Sequence, residues 1–297
     1  MRFSTVFVAV AALAAASFTT AAPAAPKPGS NAKALTVLNY ALTLEHLEAE
    51  FYKQGLAKFN DTNFTDAGFD AKVRDRFVHI GEHESEHVAT LTSVIESMKG
   101  KPVPICNYTF PMDNLTQFLA VAQALENTGV SAYLGAASGL SGDLLTAAAS
   151  ITTVEARHAA YLNELWGQSG LPYAFDTALG PREIVTIAMN FITSCPYKLG
   201  VNPFTQLTAS LPAAGSNSTK VMTSFEGMGS NMTDSTYCQF LFGNNVTVSP
   251  RSECALPQNA SGYIYVLVTK DKTPISLTQD SNVLAGPALL FNGTHSA

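Results

Sequence analysis

The sequence predicts a mainly α-helical protein: a four-helix bundle with a shorter fifth helix, followed by a small C-terminal β-sandwich-like domain. Three observations carry this reading. Apolar residues recur at helical spacing from Asn31 onward. Caps and breakers cut that region into four long segments. Beyond Cys195 the composition shifts to Ser, Thr, Asn, Gly and Pro, interrupted by short apolar runs.

The first helix is expected from Asn31 to about Lys58, with Leu35, Leu38, Leu42, Leu44, Leu47 and Phe51 as its periodic apolar positions. Gly68 and two Asn-x-Ser/Thr sequons make the next segment a surface loop. A second helix spans about Asp70 to Lys99, ends at Gly100, and cannot continue through Pro102 and Pro104. Asp113 is the expected N-cap of a third helix reaching about Gly139. The fourth runs from near Ser141 to about Gly167. The fifth has Pro181 in its first turn and a stop at Cys195-Pro196.

The connection over residues 100–113 can extend to roughly 45 Å. A helix of about 27 residues is roughly 40 Å long. One crossover along the bundle is therefore feasible, which is the ferritin-like topology rather than up-down-up-down. In the C-terminal part, Tyr237–Phe242, Val246–Val248 and Tyr263–Val268 read as strands, with Gly243-Asn244 as the turn between the first two. The expected organisation is a signal segment over 1–22, an Ala/Pro lead-in over 23–30, the bundle over 31–196 and the β-domain over 197–297.

Arg2, the apolar stretch Val6 to Ala16 and the small residues Thr20-Ala21-Ala22 have the order of a secretory signal. That stretch is too short for a membrane span. Nine sequons follow, at Asn60, Asn63, Asn107, Asn114, Asn217, Asn231, Asn245, Asn259 and Asn292, as expected of a secreted glycoprotein. The four cysteines form an even set, consistent with an oxidising compartment. Domain membership pairs Cys106 with Cys195 and Cys238 with Cys254, the latter closing a loop worth about 3 kcal/mol. None lies near the Glu/His pattern described next, which argues against thiolate ligation. With 13% charged residues and a formal charge of −6, nothing points to nucleic acid or an anionic membrane.

Two Glu-x-x-His pairs, Glu84/His87 and Glu155/His158, are each preceded by a Glu with a Tyr seven residues on, Glu45/Tyr52 and Glu126/Tyr133. Residues three or seven apart share one side of a helix. Each of the six residues also falls near the midpoint of its expected helix, so all can meet at one level of the bundle. Glu126 is the only charged residue between Asp113 and Asp143. A lone carboxylate buried there would be very costly without a partner, and a cation resolves that.

The six residues offer the donor set of a bundle that holds two metal ions. Four carboxylates and two neutral imidazoles balance two divalent cations, with iron or manganese favoured and zinc less suited. Tyr52 and Tyr133 are placed to hydrogen-bond the carboxylates. Glu48, one turn after Glu45, is a candidate extra ligand, although a solvated or supporting role suits it better. His46, His79 and His83 are expected to be ordinary surface or core residues. The string His83-Glu84-Ser85-Glu86-His87 also matches the H-E-x-x-H of zinc proteases. That alternative lacks the downstream third ligand and leaves the second Glu-x-x-His unexplained.

The stretches Leu38 to Tyr52 and Leu125 to Gly135 resemble the ferritin-like family that includes plant desiccation-related proteins and fungal late-sexual-development and stress-response proteins. The likeness covers about residues 31–195, and Gly286-Pro287-Ala288-Leu289-Leu290 is similar to the β-tail of the fungal members. The resemblance implies a secreted ferritin-like bundle with a binuclear site, in an extracellular or cell-wall protein. The expected function is a di-iron or di-manganese centre that reacts with oxygen or peroxide in a catalase-like or ferroxidase-like way. The alternative is a non-enzymatic wall, matrix or metal-sequestering protein whose β-domain binds a polysaccharide or protein.

Overall fold

Helix ends in the computed structural model, which describes residues 28–213, 216, 218–227 and 235–292, follow local side-chain chemistry. The expected signal segment and the sequons at Asn217 and Asn231 lie outside the described residues. Helix α1 (Pro28–Lys58) begins inside the expected lead-in, with Pro at its first position, where an N–H has no helical partner anyway. The following segment, expected to be a loop, contains the short helix α2 (Asp61–Asp66). Asn60 and Asn63 cap it reciprocally, each side-chain oxygen accepting from the other's backbone N–H.

Helix α3 (Ala71–Ser97) is capped by Asp70, which accepts from the Lys72 N–H at 2.8 Å. Helix α4 (Leu115–Ala136) has Asn114 as its cap, one residue later than expected. Asp113 instead donates its backbone N–H to Gln117 Oε1. Ala137–Gly139 form a single 3-10 turn, and α5 (Gly142–Leu165) follows. Helix α6 (Pro181–Ala188) stops well before Cys195. The β-branched Ile192 and Thr193 instead enter a strand, β2 (Ile192–Ser194), which pairs with β1 (Asn107–Tyr108) in the crossover. The Cys106–Cys195 disulfide thus joins the flanks of two short strands rather than a helix end.

Two apolar clusters fix the helix directions. Phe51, Phe59, Phe77, Phe118 and Leu162 pack at one end, and Leu38, Leu91, Ile95, Tyr133 and Ile151 at the other. Helices α3 and α4 therefore run parallel, and the chain between them travels the length of the bundle. It does so beside α1: the Val103 N–H donates to Asn39 Oδ1, and Lys58 Nζ donates to the Met112 carbonyl. This is the crossover anticipated from the length of the connection.

The C-terminal part holds a four-stranded antiparallel sheet in the order β6 (Asn245–Pro250), β5 (Tyr237–Phe242), β7 (Gly262–Thr269), β8 (Val283–Asn292). A two-stranded sheet, β3 (Leu207–Ser210) with β4 (Met222–Phe225), lies against it. Side chains alternate across the large sheet. Cys238, Phe240, Phe242, Ile264, Val266 and Val268 face the core shared with β3. Leu241, Tyr265 and Leu267 face Ala132 of α4 and Ile184 and Ile187 of α6. One side of the expected sandwich is thus helical. Among the described residues, no helix is long and apolar enough to cross a membrane.

Candidate metal centre

Between the two apolar clusters, four helices direct carboxylates and imidazoles at one another. The i, i+3 spacing puts Glu84 and His87 on one face of α3 and Glu155 and His158 on one face of α5. Glu45 comes from α1 and Glu126 from α4. The six side chains expected to converge lie together, all buried. They form two overlapping groups: Glu45, Glu84, His87 and Glu155 in one, and Glu84, Glu126, Glu155 and His158 in the other.

His87 Nδ1 stands 3.2 Å from Glu45 Oε2, 3.2 Å from Glu84 Oε2 and 3.3 Å from Glu155 Oε1. His158 Nδ1 stands 3.0 Å from Glu126 Oε2 and 3.2 Å from Glu84 Oε1. One Nδ1 carries at most one proton, so it cannot serve several carboxylates at once. Glu84 Oε1 and both oxygens of Glu155 are buried without a hydrogen bond, although Glu84 Oε1 and Glu155 Oε1 each lie close to an imidazole. Donor atoms about 3.0–3.4 Å apart are what a cation with bonds of about 2.1 Å would gather. The buried oxygens lacking partners and the donor chemistry both fit metal ions.

The two tyrosines reach across the bundle. Tyr52 of α1 donates to Glu126 Oε1 at 2.5 Å, and Tyr133 of α4 donates to Glu45 Oε1. Each terminal carboxylate thereby keeps one oxygen fixed by a phenol and presents the other to an imidazole.

Glu48, for which a solvated or supporting role was expected, is not solvated: it is buried beside Glu155. Both approach the backbone of α4 at Gly129: a Cβ there would lie 2.6 Å from Glu155 Oε2 and 3.0 Å from Glu48 Oε1. Five carboxylates are therefore crowded into one dry region. Burial, and then repulsion from neighbouring carboxylates, holds Glu48, Glu84 and Glu155 well above the usual carboxylate range. For His87, burial acts downward, but its contacts with Glu155, Glu45 and Glu84 prevail and push it up to about 12. Without cations, the site must take up protons.

His83 was not expected to matter, yet its Nδ1 lies 2.9 Å from His158 Nε2, and the two rings stack 5.2 Å apart. Its position four residues before His87 was the available signal, since such residues share a helix face. His46 instead contacts the Val103 carbonyl, and His79 contacts Glu82. Glu84, the glutamate that follows His83 in the H-E-x-x-H string, points into the carboxylate cluster.

Residues 33–168 match the family described as Ferritin-like domain. A stretch of 163 residues is 31% identical to "Protein rds1" of Schizosaccharomyces pombe (strain 972 / ATCC 24843). That stretch is 54% of this chain and only 39% of the relative's length. With the bundle, its crossover and its buried Glu/His groups already in place, residues 33–168 of this chain form a ferritin-like domain.

Proposed function

We propose that the chain is a secreted protein that holds two ions of iron or manganese within the bundle and uses them to react with oxygen or peroxide. One observation carries the reading: Glu84 and Glu155 belong to both four-residue groups. Glu45 with His87, and Glu126 with His158, then complete one site each. Carboxylate and imidazole donors suit iron or manganese better than zinc. When bound, such ions supply electrons and Lewis acidity for reducing oxygen or disproportionating peroxide.

The chain's own residues prepare the site. Tyr52 and Tyr133 hold the outer carboxylates, His83 steadies the His158 ring, and the apolar clusters on either side exclude water. The expected signal segment, the sequons and the two disulfides support an oxidising, extracellular setting. The test is elemental analysis of the intact secreted protein, with absorbance followed after ferrous iron and air are added. Two ions per chain and a new absorbance band are expected. Absence of stoichiometric metal, with stability unchanged by a chelator, overturns the proposal.

The full burial of the donor carboxylates favours one other reading. In it the ions are structural or sequestered, and the β-region recognises a wall polysaccharide or a protein. Replacing Glu126 with Ala separates the two. Lost turnover in a folded chain indicates chemistry, whereas collapse of the bundle indicates a structural ion.

A further inference from the structure

Helices α3 and α5 leave an open seam over the centre, and two cavities of different chemistry lie along it. One, of about 200 Å³, is walled by apolar side chains including Leu38, Ala41, Leu91, Val94, Leu144 and Ile151, and it reaches Tyr133. The other, of about 580 Å³, is lined by Arg76, Arg157, His79, His83 and Tyr161, with Glu86 as its one carboxylate. His87 and Val154 line both cavities, so these side chains stand between the two at one edge of the Glu/His cluster.

The charge of the wider cavity is not consumed within the protein. Arg76 and Arg157 form no ion pair among the described residues, and His79 is already occupied by Glu82. Two free guanidinium groups against one carboxylate favour an anion, and a guanidinium fork matches a carboxylate. The narrower cavity, at about 200 Å³, exceeds the roughly 150 Å³ that suffices to enclose benzene and has room for the end of an alkyl chain.

We propose that the seam binds an anionic amphipath, a medium-chain carboxylate. The head lies beside Arg157 within reach of Arg76, the chain passes His87, and its end enters the apolar cavity. This names a substrate class for the proposed function and rests on that reading only for what happens to the ligand. Binding itself needs no metal.

The test is calorimetry on the full chain, both metal-loaded and metal-free, with sodium octanoate, sodium butanoate and 1-octanol as probes. Each buried methylene tightens binding about fourfold. Octanoate should therefore exceed butanoate by about two orders of magnitude, and should also exceed 1-octanol. Arg76→Gln with Arg157→Gln should lower octanoate to the level of 1-octanol while leaving 1-octanol unchanged. Val94→Trp, which narrows the apolar cavity, should abolish the dependence on chain length. Circular dichroism confirms that each variant is folded, and Ala147→Trp at the cavity edge provides a second blocking variant. Equal affinity for octanoate and 1-octanol, indifference to both arginines, or no binding overturns the proposal. Octanoate binding only to the metal-loaded form also overturns it, because the carboxylate would then be a metal ligand. If no metal is found but octanoate binds as described, the proposed function fails and this inference stands.

Discussion

Tyr52 and Glu126 are joined across the bundle by a 2.5 Å hydrogen bond, and Tyr133 returns the same contact to Glu45. Each tyrosine lies seven residues after the glutamate of its own helix yet serves the glutamate of the other. Two helix–helix pairs, α1 with α3 and α4 with α5, thus present the same donors to a common centre.

Tyr52→Phe removes one of these contacts without changing shape. A buried carboxylate oxygen that loses its donor costs about 1–3 kcal/mol. Loss of such a supporting contact lowers metal affinity about 10- to 100-fold. Chelator competition and urea denaturation measure the two effects. Unchanged values in both would show that the phenol is only a core aromatic.

Glu84 and Glu126 differ in how many groups they join, and their variants should differ accordingly. Glu84→Ala removes a member of both groups and should leave almost no bound metal, whereas Glu126→Ala should leave about one ion per chain. Elemental analysis of both variants decides. Equal losses would contradict the shared position of Glu84.

Gly129→Ala introduces a methyl group 2.6 Å from Glu155 Oε2. The helix gains propensity from this change, so the bundle should remain helical while Glu155 is displaced. The expected result is a normal far-ultraviolet spectrum with metal content reduced by at least half. Full metal content would show that Glu155 has room to move.

The metal-free protein should lose stability as pH rises. Burial and neighbouring carboxylates raise Glu48, Glu84 and Glu155 above the ordinary value of 4.5. A raised carboxyl contributes fully below its unfolded value and loses that contribution as pH passes the folded one. His87, raised from 6.5 to about 12, has the same sign: its contribution is complete below 6.5 and declines up to about 12. Calorimetry between about pH 5 and pH 8 should therefore show a falling Tm for the chelated protein, and a smaller fall or a rise for the metal-loaded one. A Tm that climbs with pH in the chelated protein would contradict these shifts.

Much of the centre was legible because its signals are local. The i, i+3 spacing of Glu84/His87 and Glu155/His158 follows from helix geometry alone, and Glu126 stands out in an uncharged segment. The crossover was legible from length, and the four long helices from caps and periodicity. What escaped depended on tertiary contacts. Whether Glu48 is solvated or buried depends on how closely α4 approaches at Gly129, which no spacing reports. The role of His83 depends on a ring from another helix. The strand at Ile192–Ser194 exists because the crossover offers an edge beside it, which local propensity at the end of α6 does not show. Strands β3 and β4 have four residues each, too few for periodicity to mark them.

The bond between Cys106 and Cys195 spans a sequence separation of 89, and everything from α4 to α6 lies inside that loop. A protease that nicks the backbone once between them, for instance at the turn after Leu140, releases nothing. The first piece carries Glu45, Glu84, His87 and Glu126, the second Glu155 and His158, and the two stay covalently one molecule until a reductant parts them. Such a clasp converts a cut that would divide the chain into a silent one.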